Sequence, residues 1–194
     1  MLNYDLFKED YYNSKVKIRD FTKKEIDLIP NHLGGIKDFL RSEGLAKYEN
    51  NFFWTCLPND FHDILNYWGL KGNDSYVFFR SAFGGALLKH DKKLYMFDPI
   101  FNRLFDWGQA DEQGVYMIIN YNLRLDVFKE NCFHKQCFSE IKDASRKLKE
   151  DEIFGFVPAI PFGGSLEDSK KEIVKFKEHL MFLCQLFEDR IELM

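Results

Sequence analysis

The chain is poor in the residues that mark reactive or extracellular proteins. Its four cysteines in 194 residues, Cys56, Cys132, Cys137 and Cys184, form no C-x-x-C pair. That spacing excludes zinc-ribbon and thioredoxin-like signatures and offers no disulfide framework, so the four are expected to be reduced, small core residues. The five histidines (His32, His62, His90, His134, His179) stand far apart, in neither H-x-x-x-H nor H-E-x-x-H, which removes the helical metal-site patterns. No serine lies in a G-x-S-x-G elbow. No apolar run approaches the roughly 18 residues that a membrane span requires. The opening MLNYDLFKEDYY carries acidic residues where a signal peptide needs a basic and then an apolar stretch, so residence in the cytoplasm is expected. Basic charge is also not in excess: 27 Lys and Arg face 31 Asp and Glu, for a net charge of −4. A clustered basic surface, which binding to a phosphate backbone demands, is not indicated.

Aromatic residues are what the chain has in quantity, at 17% of the total and including 21 Phe. Phe buries a large apolar area without a polar demand, so most of these are expected in the core. The hydrophobic fraction of 45% is ample for such a core, and 30% charged residues provide solubility.

Along the chain, the first 20 residues read as a short helix or arm. A helix is expected from about Leu33 to Ser42, stopped by Gly44. An aromatic strand or turn follows at Phe52 to Trp54, and Asn59 or Asp60 can cap a helix carrying Phe61, Ile64, Leu65 and Trp68. The turn-forming tract GLKGNDS, residues 69–75, is the best candidate linker. Beyond it the period changes to that of strands in SYVFFRSAF, ALLKH, KLYMFDP and NRLFDWG, the second and third turned at His90 to Lys92. Residues 111–123 and about 133–149 read as helices. DEIFGFVPAIPFGGS supplies a strand from Ile153 to Val157 covered on both faces, because odd and even positions are alike apolar or glycine. A long helix is expected after Ser165, with Ile173, Phe176, Leu180, Leu183 and Phe187 on one stripe. The expected class is therefore α+β: a small, mainly helical N-terminal domain (residues 1–70), then an antiparallel-sheet domain flanked by helices (residues 75–194).

Chemistry is sparse. The pairs Gly34-Gly35, Gly84-Gly85 and Gly163-Gly164 lie in neither a Walker A nor a G-x-G-x-x-G pattern, and Glu167 and Asp168 beside the last pair would repel a phosphate. No cofactor motif is present. The neighbouring carboxylates Asp111-Glu112 and Asp151-Glu152 could serve acid–base chemistry in a small hydrolase, but they also suit the positive ends of helices. From Glu150 to Asp168 there are five acidic residues and no basic one, around an apolar centre. Such a layout complements a basic protein partner. Candidate partner contacts are Asp106, Trp107, Asp111, Glu112, Asp151, Glu152, Glu167 and Asp168, with Trp107 as an aromatic anchor.

Two stretches carry a family resemblance. IKDFLRSEGLAKYENNFFWTCLPNDFHDILNYW resembles a GAD-related domain. FFRSAFGGALLKHDKKLYMFDPIFNRLFDWG, then DEIFGFVPAIPFGGS and EHLMFLCQL, resemble the C-terminal domain of type VI secretion immunity proteins, families in which the two domains occur in this order. The resemblance spans roughly residues 20–186. It implies a cytoplasmic antidote that binds a cognate toxin, in the best-known members a DNase effector, with no catalytic residues and no cofactor of its own. A carboxylate-dependent hydrolase and a ligand-sensing or scaffolding module remain open alternatives.

Overall fold

The computed structural model describes residues 3–70, 75–141, 148–187 and 191–194. The elements run in the order α1 (Asp5–Tyr11), β1 (Val16–Arg19), α2 (Lys23–Asp27), α3 (Gly34–Glu43), β2 (Leu45–Tyr48), β3 (Phe53–Thr55), α4 (His62–Tyr67) and β4 (Ser75–Ser81). They continue with β5 (Ala86–His90), β6 (Lys93–Asp98), β7 (Arg103–Gln109), α5 (Glu112–Asn120), α6 (Asp126–Phe133) and α7 (Lys135–Ser139). The last are β8 (Glu152–Val157), β9 (Lys170–Lys175), α8 (Phe176–Leu186) and β10 (Glu192–Leu193). Helices and antiparallel strands coexist, as an α+β class requires.

One eight-stranded sheet has the order β1-β2-β3-β4-β5-β6-β7-β10, a meander in which only β10 is parallel to its neighbour. The β3–β4 pairing, Phe53 opposite Ser81 and Thr55 opposite Phe79, carries this sheet through both halves of the chain. The first 70 residues thus contribute three strands as well as four helices. Four residues of the expected linker, 71–74, lie outside the described residues. Side chains alternate across a strand, and the alternation sorts the core into two. Leu87, Leu94 and Met96 face an aromatic cluster with Phe7, Tyr11, Phe39, Tyr48, Phe53 and Phe79 under α1, α3, α5 and α6. Ala86, Leu88, Tyr95 and Phe97 face a second cluster with Phe61, Ile64, Trp68, Leu180 and Leu183, under α4 and α8. In the first cluster most rings meet edge to face or tilted, Phe7 with Phe39 at 5.1 Å and Tyr11 with Phe53 at 5.0 Å, as the ring quadrupole favours, while Tyr48 and Phe53 stack at 5.0 Å. The cysteines are free thiols, three of them buried, and burial pushes Cys132 up to about 12.

The hairpin β8–β9 is a separate two-stranded sheet. Phe154 N donates to the Ala82 carbonyl at 2.8 Å, which docks the hairpin on the turn between β4 and β5. Gly84 in that turn has a φ of +85°, and a Cβ there would lie 2.9 Å from Leu180 Cδ2, so glycine allows α8 to close over it.

Several expectations need correction. The helix carrying Ile64 and Leu65 begins at His62 without a side-chain cap; Asp60 and Phe61 belong to a preceding turn of 3-10 helix, and Asp60 accepts from Leu57 N. The expected helix at 133–149 is replaced by α6 and α7, which break at His134 with φ +57°; its residues 142–147 lie outside the described residues. The helix expected from Ser165 begins only at Phe176. Residues 170–175 form β9 instead, in register with β8 from Val157–Lys170 to Glu152–Lys175. Ile173 accordingly leaves the helical stripe, while Phe176, Leu180 and Leu183 keep it.

Candidate functional site

Strand β4 reads SYVFFRS, and its single charge is the feature that organises a cleft. Arg80 points away from solvent, at 4% exposure. Its guanidinium lies 4.0 Å from the Trp54 ring and 5.2 Å from that of Phe176, so two aromatic faces stabilise it. Nη2 donates to the Glu150 carbonyl at 3.1 Å and Nη1 to the Glu152 carbonyl at 3.3 Å, which fixes the chain entering β8. Burial lowers the Arg80 pKa to about 10, still far above neutrality, so the group is a cation.

A cavity of about 270 Å³ opens beside it, lined by Asp60, Arg80, Glu150, Asp151, Lys177 and Glu178 with Phe176 as its apolar wall. A smaller recess of about 80 Å³ continues toward Arg19, Trp54 and Cys56. The main cavity has four carboxylates against two cations. Loss of solvent around the Asp60 carboxyl holds its pKa above the usual range, opposed by the Leu57 N–H and by Arg80. The cleft thus carries more carboxylates than cations, and no cluster of three or more His, Cys, Asp or Glu able to hold a metal occurs among the described residues.

The eight residues expected to contact a partner fall into three groups. Asp106, Trp107, Asp111 and Glu112 form one run from the end of β7 into α5. Asp106 is ion-paired with Lys93 and accepts from Gly108 N at 2.8 Å, which lowers its pKa. Trp107 is 36% exposed and rests edge-on against Phe128 at 4.8 Å. Asp111 caps α5 by accepting from Gly114 N at 2.7 Å, and Glu112 sits in the first turn. Asp151 and Glu152 form the second group: Lys175 pairs with Asp151 and stands 3.9 Å from Glu152, which also accepts from Lys149 N at 2.9 Å. Only Asp151 of the eight lines the cleft. Glu167 and Asp168 lie in the loop before β9, exposed, with the Ser165 hydroxyl donating to Asp168 at 3.0 Å. Ser165 thus closes a turn rather than capping a helix. Sequence reasoning missed Arg80, Asp60 and Glu178. A lone arginine inside an otherwise apolar strand was the signal that could have found the first.

Residues 122–187 match the family described as T6SS immunity protein Tdi1, C-terminal. The match covers about a third of the chain, from the turn after α5 to the end of α8, and includes the β8–β9 hairpin. Among solved structures, the chain is similar to Atu4351 from Agrobacterium tumefaciens, with a TM-score of 0.70 and 17% identity over 94% of this chain and 89% of that one. At that identity the likeness shows a shared fold. No curated protein matches the chain. No helix among the described residues is long and apolar enough to cross a membrane.

Proposed function

We propose that the chain is an immunity protein that binds and neutralises a cognate type VI secretion toxin by direct contact. The match of residues 122–187 to the C-terminal immunity family carries this reading. The charge distribution supports it. A nuclease that grips DNA needs a basic groove, and a chain of net charge −4 with an acidic cleft is complementary to such a surface and gains steering from it. In this reading the toxin is a DNase met in the cytoplasm, the first 70 residues form the GAD-related unit, and the chain performs no catalysis. The carboxylate pairs favour that last point over a hydrolase: Asp111 is spent on a helix cap, and Asp151 and Glu152 are spent on Lys175 and on Lys149 N. The exposed acidic residues of all three groups are its candidate contacts.

Co-expression with candidate toxins, beginning with any toxin-like nuclease found in a neighbouring reading frame, tests the reading. Growth should be restored when chain and toxin are made together, and the two should co-purify. Continued killing without a complex would reject it.

A further inference from the structure

Strand β8 has two unlike faces. Phe154 and Phe156 turn into the aromatic core, while Ile153, Gly155 and Val157 turn to the other side, toward α8. A Cβ at Gly155 would lie 2.8 Å from His179 Nε2 and 2.9 Å from Val174 Cγ2, so the missing side chain lets the imidazole lie on the strand. Beyond it the rings continue outward: His179 to Phe182 at 6.3 Å, then Phe182 to Phe162 at 5.9 Å. Phe162 is 62% exposed and Phe182 41%, and they are the two exposed phenylalanines among the described residues. Val157, at the end of β8, is 47% exposed.

The loop that presents Phe162 is braced. The Ser169 hydroxyl donates to the Pro158 carbonyl at 2.9 Å and accepts from Ser165 N at 3.1 Å. Gly164 packs so closely that a Cβ would fall 2.2 Å from the Pro158 oxygen. An exposed aromatic held in place loses little entropy when it is covered. The segments that form the patch carry exposed carboxylates: Glu167 and Asp168 in the same loop, Glu172 directly opposite Gly155, and Glu178 next to His179 in sequence, where it also lines the Arg80 cleft. Lys170 stands opposite Val157, whereas Lys175 and Lys177 are engaged with Asp151 and Asp63, and Lys171 donates to the Leu166 carbonyl at 2.7 Å.

Aromatic faces bordered by carboxylates match one side chain above others. A guanidinium stacks on a ring and pairs with carboxylates at its edge. We propose that the Phe162–Phe182 patch is the docking surface for a basic protein partner, with an arginine of that partner laid against the two rings and held by the surrounding glutamates. The proposal rests on the immunity reading and names its contact surface.

The test uses the full chain and a purified toxin that it neutralises in co-expression, with binding followed by calorimetry. Wild type should bind, and Phe162→Ala/Phe182→Ala should weaken binding at least about tenfold, as loss of a central anchor does. Its circular dichroism and Tm should be unchanged. Glu167→Gln/Glu172→Gln/Glu178→Gln should also weaken binding and flatten its salt dependence. Full affinity in the double-alanine variant would overturn the surface and leave the immunity reading standing. Absence of binding by wild type would remove both. A wild-type dimer abolished by the double variant would assign the patch to a second copy of this chain and overturn the toxin assignment.

Discussion

On the inner side of β8, Phe154 and Phe156 are buried against Phe83 and Phe138, whereas on the outer side Phe162 and Phe182 touch each other and remain in water. The same residue type does different work in the two places. Inside, each ring removes apolar area from solvent, and the stabilisation is about 1.5–3 kcal/mol per side chain. Outside, the rings are left uncovered by their own chain, and a braced loop and a glycine keep them there. Stability and recognition are thereby separated across the thickness of one strand.

Replacement on the inner face should have the largest effect. Phe154→Ala leaves a cavity in the aromatic cluster and should cost about 3–5 kcal/mol, read as a fall in thermal or denaturant midpoint. A loss below about 1 kcal/mol would mean that the cluster collapses around the gap and is not close-packed. Next comes the glycine between the faces. Gly155→Ala drives a methyl group into His179 and Val174 and should cost about 1–3 kcal/mol. Combining it with His179→Ala should recover most of that loss, and no recovery would place the strain elsewhere.

A smaller effect is expected from pH. Burial lowers the His179 pKa below its ordinary 6.5, so the unfolded chain binds this proton more readily than the folded one. The contribution is complete above the unfolded value and declines as pH falls through it toward the folded value. Between pH 7 and pH 5 wild type should therefore lose more stability than His179→Gln. Equal slopes would show that the imidazole is solvated in the folded protein. The smallest stability change belongs to the outer aromatics: Phe162→Ala should move stability by no more than about 0.5 kcal/mol, as for an exposed position. A larger loss would make Phe162 part of the core and erase the distinction between the faces.

Much of this architecture is legible along the chain, and for stated reasons. The meander β4 to β7 shows because short alternating runs are separated by turn formers, with Asp91 at φ +51° in the tight turn between β5 and β6. Helix α5 shows because Val115, Ile118 and Ile119 share one buried face. Strand β9 does not show, since Ile173 lies at helical spacing from Phe176 and Leu180, and only pairing with β8 makes it extended. Helix α6 is hidden because Val127, 63% exposed, blurs its apolar stripe. The Arg80 cleft joins residues 60, 80, 150–151 and 176–178, distances that no local pattern spans. The acidic run before Asp168 is visible in the sequence, but the ring beside Phe162 comes from α8, twenty residues later, and only folding brings it there.

Hydrogen exchange of the chain, alone and with a toxin that it neutralises in co-expression, tests the division between the faces most directly. Protection on binding should appear at residues 157–168 and 179–185, with the core strands β4 to β6 unchanged. Protection confined to residues 106–112, with the Phe162 loop exchanging as in the free chain, would contradict it.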